Sequence, residues 1–144
     1  MKSDYETIAS SHRLLLSIYR HAEQTSPDCG EGGYCSDGQC PGQKECIHKA
    51  RETFHRVLFA TIGHFNREDR LIRHAMAPDA FERHVAGHAA ITDAIQLAIN
   101  TFGRDLDIPA AFRSIRAIGQ LYSAHHAEQD REYLQLLAPR SAPS

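Results

Sequence analysis

The sequence contains no apolar run approaching the roughly 20 residues that a helix needs to span a bilayer. Its first residues carry charges with no apolar stretch behind them, so no signal peptide is expected. The formal net charge is -2, and the basic residues are scattered among acidic ones, which argues against nucleic-acid binding. We therefore expect a protein with no membrane or nucleic-acid partner, located by default in the cytoplasm.

The sequence also lacks β-type alternation and internal repeats. Apolar residues instead recur at spacings of three and four in four stretches, 3–23, 44–73, 79–102 and 107–137. A chain of 144 residues fits one domain. Four long helices with short connections predict an all-α, antiparallel up-down-up-down four-helix bundle. We expect the bundle to cover 1–138, with a Cys- and Gly-rich loop at 26–43 between the first two helices and a flexible tail at 139–144.

Histidine is abundant, with ten residues, and several histidines fall inside the apolar stripes. Burying an imidazole without a partner costs about 1–3 kcal/mol. The stripe histidines lie on three helices that face one axis, and a metal would satisfy them together. These residues are His12, His64, His84 and His88. The histidines expected to be exposed are His21, His48, His55 and His74.

The spacing of the ligand types predicts two ions. The i, i+4 pairs His84/His88 and His64/Glu68 each place two side chains on one helical face. The fourth helix adds a fifth imidazole, and five are too many for one ion that keeps an open position. Two carboxylates would bridge a pair of ions. Nitrogen and oxygen ligands suit iron, although ligand type alone leaves zinc, manganese and copper open.

The fourth helix offers His125, His126 and Asp130 as further ligands. In an ideal helix His126 faces Asp130 better than His125 does, because their separation is four residues and not five. Helix geometry alone therefore leaves the choice between the two histidines open.

At this point the residues resemble a family, hemerythrin and its bacterial relatives, across nearly the whole chain. The matching pieces are Ser-Ser-His12-Arg-Leu-Leu, His64-Phe-Asn-Arg-Glu68-Asp69, His84-x-x-x-His88, and His125-x-x-x-x-Asp130 followed by Tyr133. Asp69 replaces the second acid of the family motif. The resemblance implies a hemerythrin-like bundle and favours His125 over His126 as the ligand.

The resemblance also implies a division of ligands between two iron ions joined by an oxo or hydroxo bridge. One ion would bind His84, His88 and His125. The second would bind His12 and His64 and keep an open position, with Glu68 and Asp130 bridging the pair. In that family the open position binds dioxygen. We therefore expect a non-haem di-iron protein that reversibly binds dioxygen or nitric oxide, in oxygen or redox sensing or storage.

Two residues near the last ligand depart from the bulky apolar pocket usual in that family. Tyr122, three residues before His125, could hydrogen-bond a bound ligand, carry a radical, or be a core tyrosine. His126 could support a ligand or simply pack. Stable oxygen complexes favour dry apolar pockets. The alternative function is therefore a di-iron oxidase or peroxidase that uses Tyr122 and His126.

The second departure is the cysteine loop, Cys29-x5-Cys35-x4-Cys40-x5-Cys46. Four cysteines could hold zinc or a small iron–sulfur cluster. They could instead form two disulfides, with Cys29–Cys46 and Cys35–Cys40 one of three connectivities, act as a thiol–disulfide switch, or stay inert. The loop favours sensing with a redox or signalling protein partner. It also leaves open a protein that handles iron or zinc.

Overall fold

A computed structural model describes residues 3–24 and 43–130. Four α-helices make up most of this part of the chain, and a π-helical turn at His126–Asp130 follows the last of them. The helices are α1 (Asp4–Gln24), α2 (Gln43–Ile72), α3 (Pro78–Asp105) and α4 (Ile108–His125). No strand occurs within these residues, so the predicted all-α class is confirmed for them. The tail, most of the predicted loop and the end of the predicted fourth helix lie outside the described residues.

The helices pack around a common core. α1 contacts α2 and α4, α3 contacts the same two helices, and α2 also contacts α4. The core is built from the predicted stripes, because apolar side chains at helical spacing can meet only on the inner faces. Its largest fully buried members are Tyr122, Phe54, Leu15, Ile95, Ile108 and Ile115, and a second, smaller cluster contains Ile8 and Ile72. Across the described helices, none is both long and apolar enough to cross a membrane.

The short connection between α3 and α4 begins later in the sequence than predicted. The third helical stretch was predicted to end at 102, but α3 continues to Asp105 and Leu106 adopts the left-handed conformation, with φ 51°. The Leu106 amide donates to the Phe102 carbonyl, and its side chain packs against the core, which offsets the strain. Asp107 then caps α4 by accepting a hydrogen bond from the Ala110 amide.

Two other predicted boundaries are wrong. The third helical stretch was predicted to begin at 79, but α3 begins at Pro78, and Ala77 is the extended residue before it. The fourth helix was predicted to run unbroken to 137, but its α-helical part ends at His125 and the π turn begins at His126.

Candidate metal centre

Four helices contribute polar side chains to one buried cluster. Each is at most 7% exposed, although histidine and glutamate usually lie at the surface. α1 supplies His12, α2 supplies His64 and Glu68, α3 supplies His84 and His88, and α4 supplies His125. The structure thus brings together six of the seven predicted ligands.

The Glu68 carboxylate lies at the centre of the cluster. Its Oε2 is 2.6 Å from Nε2 of His12 and 3.2 Å from Nε2 of His64. Its Oε1 is 2.7 Å from Nε2 of His84 and 3.3 Å from Nε2 of His88. One carboxylate therefore contacts two pairs of imidazoles, with one pair at each of its oxygens.

This arrangement determines the charge of the cluster. Burial acts to raise the pKa of Glu68, but hydrogen bonds from the surrounding imidazoles outweigh it and hold the pKa far below the usual range. Burial acts to lower the pKa of His88, but Asp69 and Glu68 outweigh it and raise the pKa above the usual value. A buried anion in contact with imidazoles is therefore present at neutral pH.

The ligand atoms fall into two groups in which all atoms lie within 4.8 Å of one another. One group contains Glu68, His84, His88 and His125, and the other contains His12, His64 and Glu68. Imidazole nitrogens with carboxylate oxygens are the donors that first-row transition metals take up in proteins. The residues present therefore fit metal ions, and this buried cluster could hold one.

Two of the histidines have a second partner on the side away from Glu68. Asp69 Oδ1 lies 2.8 Å from His88 Nδ1. Ser11 Oγ lies 2.6 Å from His64 Nδ1 and also accepts from Arg67 Nη1 at 3.3 Å. Such outer partners fix the orientation of a metal-binding imidazole.

Aromatic packing holds the rings of the α3–α4 side. Phe65 stacks on His88 with ring centroids 3.7 Å apart and planes 7° apart. The His125 ring lies 4.7 Å from that of His88 and 5.1 Å from that of His84. These contacts leave little freedom for the imidazoles to turn.

Tyr122 and His126 both lie at the His12 side of the cluster. Tyr122 is fully buried, and its hydroxyl oxygen is 3.5 Å from His64 Nε2. Its ring stacks on Tyr19, with centroids 5.7 Å apart. The half-buried His126 packs its ring edge-on against His12 at 4.1 Å. Tyr122 is therefore part of the cluster, and His126 packs against a ligand candidate.

Two openings approach the cluster from different faces. Between α1 and α2, a cavity of about 150 Å³ reaches Ser11 and His64 past the apolar side chains Leu14 and Phe59. Between α2 and α3, a groove of about 350 Å³ reaches Asp69 and the His88 ring. Ser11 thus lines the first opening together with His64, and Asp69 lines the second together with His88.

The remaining predicted residues contribute less. Asp130 belongs to the π turn, but its side chain lies outside the described residues, as do Cys29, Cys35 and Cys40. Cys46 is partly buried and packs against the core at the start of α2. The four histidines predicted to be exposed are exposed, which confirms that prediction.

Three residues of the cluster were not predicted as functional, namely Ser11, Phe65 and Asp69. Ser11 and Asp69 each adjoin a predicted ligand in sequence, and Asp69 also stands at the second acid of the motif quoted above. Phe65 was visible only as part of a motif. Comparison of the chain with protein-family models, curated proteins and solved structures finds no match.

Proposed function

We propose that this chain is a non-haem di-iron protein of the hemerythrin kind that reversibly binds dioxygen or nitric oxide, in oxygen or redox sensing or storage. The observation that carries the proposal is Glu68, whose two oxygens face separate groups of histidines. A carboxylate in that position would hold an ion on each side, because Glu68 belongs to both groups of ligand atoms. The bound iron pair would supply the electrons and the open position that a diatomic gas requires.

The division of the histidines supports an open position at one end. The group with His84, His88 and Glu68 gains a fourth donor in His125, whereas the His12 group has three. The end with fewer protein donors has more room for an exogenous ligand. The α1–α2 cavity approaches this end, and its apolar lining suits a small gas.

The π turn supports Asp130 as the second bridge. An α-helix places position 126 above position 130, but a π turn widens the repeat towards five residues. Position 130 then comes round towards the side of His125, which is buried in the cluster. We include Asp130 in the proposed ligand set on this backbone argument.

Paired contacts support the antiparallel direction of neighbouring helices. Along α1, His12 meets Glu68 of α2, and the later residue Tyr19 meets the earlier residue Thr61. Along α3 the order is also reversed, since His88 packs on Phe65 and the later residue Phe102 packs on the earlier residue Phe54. Helices in sequence with short connections commonly pack in this way.

The chain's own residues have defined tasks in this proposal. His12 and His84 would hold the ions through Nε2, which lies 2.6 Å and 2.7 Å, respectively, from a Glu68 oxygen. The burial of the cluster excludes bulk water, which would otherwise promote loss of a bound gas. The Tyr122 hydroxyl is the nearest described phenol to the His12 end and can donate a hydrogen bond to a ligand there.

The test is metal content together with absorption spectra. We expect two iron ions per chain, and a charge-transfer band that appears when the reduced protein meets oxygen and disappears when oxygen is removed. Glu68→Gln should lower the iron content. Glu52→Gln, on the exposed part of α2 beside His48, is the matched control and should not. One ion per chain, or no reversible band, would refute the proposal.

A second candidate, a di-iron oxidase or peroxidase, is favoured by one observation. Tyr122 is fully buried with its hydroxyl at the His64 side of the cluster, a place where a phenol can give up an electron and a proton. Tyr122→Phe discriminates between the two. Loss of peroxide turnover with unchanged iron content would favour the enzyme, whereas negligible turnover in the wild type would favour the gas-binding protein.

A further inference from the structure

We propose that the two metal positions differ in affinity, with the tighter one beside His88 and the weaker one beside His64. Asp69 and Ser11 are the positioning residues that set the difference. The inference rests on the proposed function only in requiring two ions per chain.

Asp69 favours the tautomer of His88 that can bind a metal through Nε2. An ionised carboxylate carries no hydrogen, so its charge, 2.8 Å from Nδ1, favours the hydrogen of a neutral His88 on that nitrogen. Nε2 is then left with its lone pair facing the Glu68 side. The negative charge of Asp69 also makes the imidazole nitrogen Nε2 a stronger electron-pair donor to a metal ion. Because Phe65 holds the ring plane, little reorganisation is needed when an ion binds.

Ser11 favours neither tautomer of His64. A hydroxyl can accept from Nδ1–H or donate to a bare Nδ1, and the 2.6 Å distance fits both. In the second case the imidazole hydrogen lies on Nε2, which then cannot bind a metal. Arg67 adds a positive charge near Ser11, and that charge opposes a cation.

The donor sets point in the same direction. Among the described residues the His88 group has four ligand atoms and the His64 group has three. The two observations are independent, because one concerns the number of ligands and the other concerns how each ligand is held.

The test is a titration of the metal-free full chain with Co²⁺, followed by visible absorption in competition with a chelator. We expect two resolved binding steps. Asp69→Asn should weaken the tighter step by about 10–100-fold and leave the other unchanged. Ser11→Ala should weaken only the looser step. Loss of the tighter step in His84→Gln and of the looser one in His12→Gln assigns the steps.

Matched controls separate positioning from general damage. Asp93→Asn changes another acid of the same groove, and Ser10→Ala removes the serine next to Ser11. Both controls should leave the two steps unchanged. Urea unfolding of the metal-free variants checks that each one folds.

Three outcomes would overturn the inference. Two equal binding constants in the wild type would do so, as would an Asp69→Asn variant that weakens both steps alike or neither. These results leave the proposed function standing, because two ions still bind. Binding of a single Co²⁺ per chain would refute both.

Discussion

Phe65 lies flat against His88, with ring centroids 3.7 Å apart and planes 7° apart. The contact joins α2 to α3 directly beside the Glu68 carboxylate. The stacking holds the plane of the His88 imidazole. The contact of Asp69 with Nδ1 holds the orientation of the ring within that plane. The residue after His64 therefore has a function of its own, which is to position a ligand from the neighbouring helix.

Phe65→Leu should weaken metal binding at the His88 position more than it weakens the fold. Leucine keeps much of the buried volume, so the loss in unfolding free energy should stay below about 1.5 kcal/mol. The flat support of the ring is lost, and the tighter Co²⁺ step should weaken. The matched control is Phe54→Leu, a buried phenylalanine that packs on Phe102. It should lower stability without changing either step, and equal effects in both variants would contradict the prediction.

The metal-free protein should be most stable between about pH 4.5 and 6.5. The lowered pKa of Glu68 stabilises the fold above 4.5, its ordinary value, and this contribution is lost as the pH falls further. The raised pKa of His88 stabilises the fold below 6.5, and this contribution is lost as the pH rises through the folded pKa. Urea unfolding across this range, with a chelator present, measures the effect. A stability that rises steadily from pH 4.5 to 8 would contradict it.

Metal affinity should increase as the pH rises above 6.5, whereas the stability of the metal-free protein should decrease. Imidazoles bind ions only when neutral, and the raised pKa of His88 means that its proton competes above the usual value of 6.5. We expect the tighter Co²⁺ step to strengthen as the pH rises through 7. In Asp69→Asn one of the two negative charges that raise this pKa is gone, so the pH dependence should be shallower. The same steep dependence in both proteins would contradict the prediction.

Tyr19 should make the protein sensitive to strong alkali. Burial raises its pKa to about 12, against the opposing effect of the hydrogen bond to Thr61. Because the folded state holds the proton more tightly, stability is lost as the pH rises from 10 to 12, on the order of 2 kcal/mol. The difference in unfolding free energy between the wild type and Tyr19→Phe isolates this loss. A constant difference over that range would contradict it.

Two helical glycines should respond oppositely to alanine. A Cβ at Gly103 meets nothing within 4 Å, so Gly103→Ala should stabilise by up to about 1 kcal/mol. A Cβ at Gly119 would meet Tyr19 Cδ1 at 3.3 Å. Tyr19 cannot easily move, because it is bonded to Thr61 and stacked on Tyr122. Gly119→Ala should therefore destabilise, and equal gains at both positions in thermal unfolding would show that the ring can yield.

Helical periodicity was sufficient to predict that four of the histidines are buried, namely His12, His64, His84 and His88. His84 and His88 share a face because four residues nearly complete a turn, and the same holds for His64 and Glu68. These spacings depend only on local geometry. The predicted all-α class follows from the same periodicity and is confirmed for the described residues.

Other features depend on interactions between distant parts of the chain. The choice between His125 and His126 depends on where α-helix changes to π turn, which no local pattern of this sequence reveals. Leu106 takes a conformation that favours glycine because its side chain reaches the core. Ser11 meets His64 across 53 positions, so its role required the packing of α1 on α2.

The central place of Glu68 has a consequence for how the molecule opens. Its carboxylate contacts rings carried by α1 and α3 while its own backbone belongs to α2. Separating either neighbour from α2 would expose a buried anion whose imidazole partners had been removed. Near the cluster these three helices should therefore lose amide protection together in hydrogen exchange, as one cooperative unit.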